Sequence, residues 1–202
     1  MARVRESKNI PLRPLVVIFS DGQTELNYFR CKKLDQNENG NIRIEPVFAN
    51  QKKATGIVQY AKRYLKKKGW AIKPNDRIFC VMDMDHANDV DIKKALKEKP
   101  DKMRLIVSNP DFEFWFLLHY TYHQGSLQNR EPIEKLREYE RDYEKPDVDK
   151  IYSSLKEREK DAILHAEKLR LFHRNEGVGD LYRVSVNPYT NVDELVSYIN
   201  SI

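Results

Sequence analysis

Arg77-Ile-Phe-Cys-Val-Met-Asp-Met-Asp85 decides how the rest of the chain is read. An apolar run containing Ile, Phe and Val, closed by polar residues, predicts a buried strand. Side chains alternate along a strand, so Asp83 and Asp85 are expected on the same side at its C-terminal end. In an open α/β sheet that end is where ligands bind. Two carboxylates there repel each other unless something positive lies between them, and a divalent metal is the usual solution. Taken alone, Asp-x-Asp also has a plainer explanation, in which one aspartate caps the next helix and the other is solvated.

Upstream, Leu15-Val-Val-Ile-Phe19 is a second apolar strand, broken at Ser20-Asp21-Gly22 and followed by a helix from Thr24 to about Lys33. Glu25 falls in the first turn of that helix, where a negative charge suits the helix dipole. A turn cluster at Asn37–Asn41 precedes a strand over Ile42–Phe48, kinked at Pro46 and so placed near a sheet edge. The next segment is helical. Ile57, Ala61, Tyr64 and Leu65 share one face, and Lys62, Arg63, Lys66, Lys67 and Lys68 fall elsewhere as a basic surface, either solvated or in contact with nucleic acid.

Downstream, a short charged helix over about 90–98 leads to a strand at Met103–Val107. Ser108-Asn-Pro-Asp-Phe-Glu-Phe-Trp-Phe-Leu-Leu-His-Tyr120 follows, with Asn109 expected as an N-cap and Pro110 as the first helical residue. Glu113 then sits near the strand's C-terminal end, and His119 reads as a packed core histidine. Residues 131–143 and 147–174 are charged and helical, the second with a stripe of Ile151, Leu155, Ala162, Ala166 and Leu169. A final helix spans Val192–Ile199, after a turn at Asn187–Thr190. Alternating strands and helices imply an α/β fold with a mostly parallel sheet covered on both faces. The expected organisation is a flexible basic arm at 1–13, an α/β domain at 14–123 and a helical extension at 124–202.

Composition narrows the function classes. The chain has 202 residues, 40% apolar and 33% charged, which suits one ordered domain. No apolar run approaches the roughly 18 residues of a membrane span. Neither a secretory leader nor a metal-like cysteine spacing is present, so Cys31 and Cys80 read as reduced thiols of a cytoplasmic protein. Lys plus Arg number 36 against 31 Asp plus Glu, for a net charge of +5 and a pI near 9.0, which permits a nucleic-acid partner. Aromatic content around Tyr120 and Tyr122 leaves room for a homo-oligomer interface.

One rim of such a sheet can gather Asp21, Glu25, Asp83, Asp85 and Glu113. All are hard oxygen donors suited to Mg²⁺ or Mn²⁺, and no Cys/His set competes for zinc. Magnesium among carboxylates beside basic surface is a phosphoryl-transfer arrangement. A Walker glycine-lysine loop is lacking, which disfavours that type of NTPase.

Val16-Val-Ile-Phe-Ser-Asp-Gly-Gln-Thr-Glu-Leu-Asn-Tyr-Phe29 resembles the opening of RloB-like proteins. Asp83-Met-Asp85, Ser108-Asn-Pro-Asp-Phe-Glu-Phe-Trp115 and Asn187-Pro-Tyr-Thr-Asn-Val-Asp-Glu-Leu-Val196 are similar to that family's other marks, in the same order. The resemblance implies a relation to TOPRIM domains and a metal-dependent nuclease acting on RNA, with tRNA among the candidates, or on DNA. It also implies a role in bacterial defence against phage, of the abortive-infection kind; a protein that cuts host nucleic acid would have to be held silent, and a regulatory protein encoded nearby is one candidate for that. By the same resemblance, Asp83 and Asp85 match the metal pair, Glu113 the glutamate of the Asn-Pro signature and Glu25 that of Thr-Glu. The chain departs from the family at position 21, where Asp replaces the usual Glu before Gly22 and shortens the reach of any proton transfer. The competing expectations are a non-catalytic nucleic-acid-binding or regulatory subunit of the same fold, and an enzyme acting on a small phosphorylated substrate.

Overall fold

A computed structural model of the chain describes residues 13–39 and 41–202. The expected flexible arm falls, except for Arg13, outside the described residues. Five strands form one sheet in the order β2-β1-β3-β4-β5, built from β1 (Leu15–Ser20), β2 (Arg43–Phe48), β3 (Arg77–Asp83), β4 (Met103–Asn109) and β5 (Tyr189–Thr190). The first four are mutually parallel, and β5 runs antiparallel to β4. The fold is therefore α/β with a mostly parallel sheet, as the alternation of elements predicts. Pro46, which cannot donate to a ladder, lies on edge strand β2.

Strand alternation divides the core in two. Val16, Ile18, Phe79, Val81 and Ile106 face one layer with Tyr28 and Phe29 of α1 (Gln23–Asn39). Val17, Phe19, Ile78, Cys80, Leu105 and Val107 face the other, against α2 (Ala54–Lys67) and α3 (Asp89–Glu98). The strand order reverses between β1 and β3, which opens a crevice at their C-terminal ends.

The stretch after β4 departs from expectation. Asn109 is the last residue of β4, not a helix cap, and helix α4 is only Glu113–Leu117. The Asn109 side-chain amide instead donates to Val184 O (3.0 Å) and Val186 O (2.7 Å), pinning a distant loop. A helix that is apolar all round must be enclosed on every side. Residues 112–118 accordingly lie beneath α5 (Glu131–Leu136), α6 (Tyr152–Glu157) and α7 (Glu159–Asn175). His119 is packed there with Nδ1 2.9 Å from Trp115 O, and burial lowers its pKa to about 3.

Residues 124–202 are not purely helical. The Asn187–Thr190 stretch supplies β5, held by Val107 N–H donating to Asn191 Oδ1 (2.8 Å) and by the Ser108–Thr190 hydroxyl pair (2.9 Å). Helix α8 (Val192–Asn200) then buries Val192, Leu195, Val196 and Ile199 in the α1 layer of the core. The expected helix over 147–174 is broken at Arg158 into α6 and α7, and the expected helix over 131–143 ends at Leu136. Tyr120 and Tyr122 are half-buried against the core. Tyr120 stacks on Tyr139 at 4.9 Å and donates to Glu140, so these rings are engaged within the chain. Among the described residues, no helix is long and apolar enough to cross a membrane.

Candidate active site

The turn after β1 is where the carboxylates begin to assemble. Gly22 N–H donates to Glu25 Oε1 (3.3 Å), and a Cβ on Gly22 would meet Glu25 Oε2 at 2.4 Å. Glycine is therefore required for the Glu25 carboxylate to fold back over the turn. Along β3, Asp83 shares parity with Phe79 and Val81, which turns it toward α1 and α4, the elements carrying Glu25 and Glu113.

Asp21, Glu25, Asp83, Asp85, Asp111 and Glu113 form one electrostatic cluster. Glu25 feels the charges of Glu113 and Asp21, and Asp83 those of Glu25, Glu113 and Asp111. Asp85 acts on both Asp21 and Asp111. The sequence-predicted set Asp21, Glu25, Asp83, Asp85 and Glu113 is thus brought together. Within it Asp85 is the outermost, with its side chain 30% exposed and His86 Nε2 3.2 Å from Oδ2.

Burial raises the cost of ionisation, and like charges add to it. Glu25, desolvated and beside Glu113 and Asp21, is pushed up to about 7. Asp111 is pushed up to about 8 by burial and then by Glu113. Asp83 is raised well above the carboxylate range by burial and by Glu25, and Asp21 is raised chiefly by burial, against the attraction of Lys52. Asp83 as a residue is half-buried, but its Oδ1 has no access to solvent.

Glu113 is fully enclosed and draws compensating groups from three elements. Thr24 Oγ1 donates to Oε1 (3.3 Å), Tyr143 OH donates to the same atom (3.0 Å), and Lys145 Nζ lies 2.7 Å from Oε2. The Lys145 ammonium thus forms a close ion pair with Glu113 Oε2. Burial alone would lower the Lys145 pKa, but Glu113 and Asp111 raise it, and the ammonium stays charged. Asp111, Tyr143, Lys145 and Thr24 are members that sequence reasoning missed. Asp111 repeats the Asp-x-acid spacing of Asp83-x-Asp85 within the quoted 108–120 stretch. Nothing local distinguishes Lys145 from the chain's other basic residues.

Among the described residues, no group of three or more His, Cys, Asp or Glu side chains is arranged to hold a metal as it stands. The donor chemistry nevertheless fits a hard divalent cation. Asp21 Oδ1, Asp83 Oδ1 and Asp111 Oδ1 are buried without hydrogen-bond partners, and orphaned carboxylate oxygens are costly unless something positive meets them; Glu113 Oε2, met by Lys145, is a fourth hard oxygen donor beside them.

Beside Asp85 opens a cleft of about 500 Å³. Its walls include Asn109, Gln128, Arg130 and Asn187, with Asn187 Nδ2 donating to Leu127 O (2.8 Å) to fix one wall. The basic residues of α2 are elsewhere. Helix α2 starts at the carboxylate rim and, at about 1.5 Å per residue, ends roughly 20 Å away. Gly69 and Trp70, just past its end, line a hollow with Arg13, Leu15 and Arg43 at the strand N-termini. Lys62, Arg63, Lys66, Lys67 and Lys68 are exposed, and Lys66, Lys67 and Lys68 lie at that far rim.

No curated protein and no solved structure matches the chain. The family model described as RloB-like protein matches residues 16–199, which contain every carboxylate of the cluster, and the chain belongs to the RloB-like family.

Proposed function

We propose that the protein is a Mg²⁺- or Mn²⁺-dependent nuclease that hydrolyses phosphodiester bonds of RNA, tRNA included, or DNA. The observation that carries this reading is the set of three buried, unpartnered carboxylate oxygens, Asp21 Oδ1, Asp83 Oδ1 and Asp111 Oδ1, beside Glu113 at the C-terminal crevice between β1, β3 and β4. Asp83, Glu113, Asp21 and Asp111 would hold the cation, with Asp85 at the rim. A divalent cation held there supplies positive charge against phosphate oxygens that gain negative charge as the ester bond breaks.

The remaining steps fall to the chain's own groups. Hydrolysis joins the oxygen of water to phosphorus, breaks one P–O ester bond and delivers a proton to the departing oxygen. Glu25, buried beside the cluster and folded back over the β1 turn, suits that acid/base role. The shorter Asp21 lies in the same cluster, which supports it as a ligand-side carboxylate. The cleft beside Asp85 suits the nucleotide flanking the reacting phosphate. A place in anti-phage defence rests on the family resemblance alone.

A second reading, a binding module without catalysis, is favoured by one feature. The exposed basic end of α2 is far from the carboxylates and needs no metal to contact phosphates.

The test is cleavage of tRNA, single-stranded and duplex substrates in Mg²⁺, Mn²⁺ or EDTA, beside the Asp83→Ala/Asp85→Ala double variant. Metal-dependent products reduced on the order of 100-fold or more in the folded variant are expected. Salt-sensitive nucleic-acid binding that survives the double substitution, with no products under any condition, selects the binding module instead.

A further inference from the structure

The chain between α5 and α6 lies as a strap across α1 and over the cluster. It is pinned on both sides of Lys145. Before it, Arg137 Nε donates to Tyr143 O (3.0 Å) and Tyr143 OH donates to Glu113 Oε1 (3.0 Å). After it, Asn27 Nδ2 donates to Pro146 O (2.9 Å) and Cys31 Sγ donates to Asp149 Oδ1 (3.0 Å). With its backbone so held, Lys145 directs Nζ to 2.7 Å from Glu113 Oε2 and 3.8 Å from Asp111 Oδ2. The lysine side chain is 42% exposed and the glutamate 0%, so the ammonium enters the cluster from its solvent side.

We propose that Lys145 is the resident counter-cation of the cluster, and that a divalent ion displaces its ammonium from Glu113 and Asp111 on binding. This rests on the metal reading above. The ammonium lies against Glu113 Oε2, an oxygen that suits a divalent cation, and two cations cannot share that oxygen without strong repulsion. Its long methylene stem lets the head swing into solvent while the pinned backbone stays in place. The exchange accounts for an acid cluster that persists in the fold without a closed metal cage. It also leaves a free ammonium at the mouth of the site, where a phosphate anion enters.

The test is Mn²⁺ affinity of the 202-residue chain, measured by calorimetry or electron paramagnetic resonance, for the wild type, Lys145→Gln and Lys145→Arg. Removing the competing charge is expected to tighten Mn²⁺ binding about ten-fold in Lys145→Gln, with Lys145→Arg remaining close to the wild type. A merely structural lysine predicts the opposite sign, because loosening the strap weakens the site. Unchanged or weaker binding in Lys145→Gln overturns the proposal while leaving the metal reading intact. Absence of Mn²⁺ binding in every protein overturns both. A second measurement needs no substitution: the rate at which an acetylating reagent modifies Lys145 in the wild type, followed by mass spectrometry. A several-fold rise on adding Mg²⁺ is expected, and an unchanged rate overturns the proposal.

Discussion

An aspartate stands at each end of strand β3, and the two are held in opposite ways. Asp76, just before the strand, accepts from Leu15 N–H at Oδ1 (2.8 Å) and from Lys73 N–H at Oδ2 (2.7 Å). Both oxygens are occupied by the backbone, and the side chain fastens the start of β1 to the start of β3. Asp83, at the other end, has a buried oxygen with no hydrogen-bond partner and three acidic neighbours. A satisfied buried carboxylate stabilises a fold, whereas an unsatisfied one opposes it and persists where something outside the chain completes it. What separates these two aspartates is hydrogen-bond completeness.

The sharpest way to break this contrast is to neutralise each aspartate without changing its shape. Asp76→Asn loses charge-assisted bonds to two backbone donors and should cost about 2–4 kcal/mol of stability while leaving Mn²⁺ binding intact. Asp83→Asn removes a charge the site disfavours, so in EDTA it should unfold at the same denaturant concentration as the wild type or a higher one, and lose Mn²⁺ binding. Equilibrium urea unfolding and metal titration of both variants test this. The contrast collapses if the two variants shift stability in the same direction.

The pH dependence of stability gives the next largest effect. Glu25 and Asp111 have ordinary values of 4.5 and 3.8 and are raised to about 7 and about 8 in the folded chain. The folded state therefore holds protons that the unfolded state has already released. Stability in EDTA should fall as pH rises from about 5 to about 8. Glu25→Gln should flatten part of that decline. A melting temperature that climbs over this range would mean that the acids are compensated within the chain.

The smallest effect is expected at the opposite rim. Lys66, Lys67 and Lys68 are exposed, and exposed charges contribute little to stability. Replacing all three with Ala should leave unfolding and Mn²⁺ affinity within error. If they contact phosphates, the slope of log affinity against log salt falls by about 3 at most. A change in metal affinity would show that the two rims communicate.

Much of the fold was legible because local pattern and burial agree. The apolar runs at 15–19 and 78–82 read as buried strands, and Pro46 marks an edge because it lacks a donor. Alternation along β3 set Asp83 toward one face, and turn residues after β1 set Asp21 and Glu25 beside the strand ends. Those constraints reach only a few residues along the chain, and they were enough for the α/β class and for five members of the cluster. Contacts between distant segments were not legible. Tyr143 and Lys145 reach Glu113 across about thirty residues of loop and short helix, and Thr190 pairs with Ser108 from the far end of the chain. The placement of the basic end of α2 away from the acids followed from the helix running antiparallel to its strands. Only tertiary structure decides which carboxylate oxygens are left unpaired, because pairing depends on every group that packing brings within reach, wherever it lies in the chain.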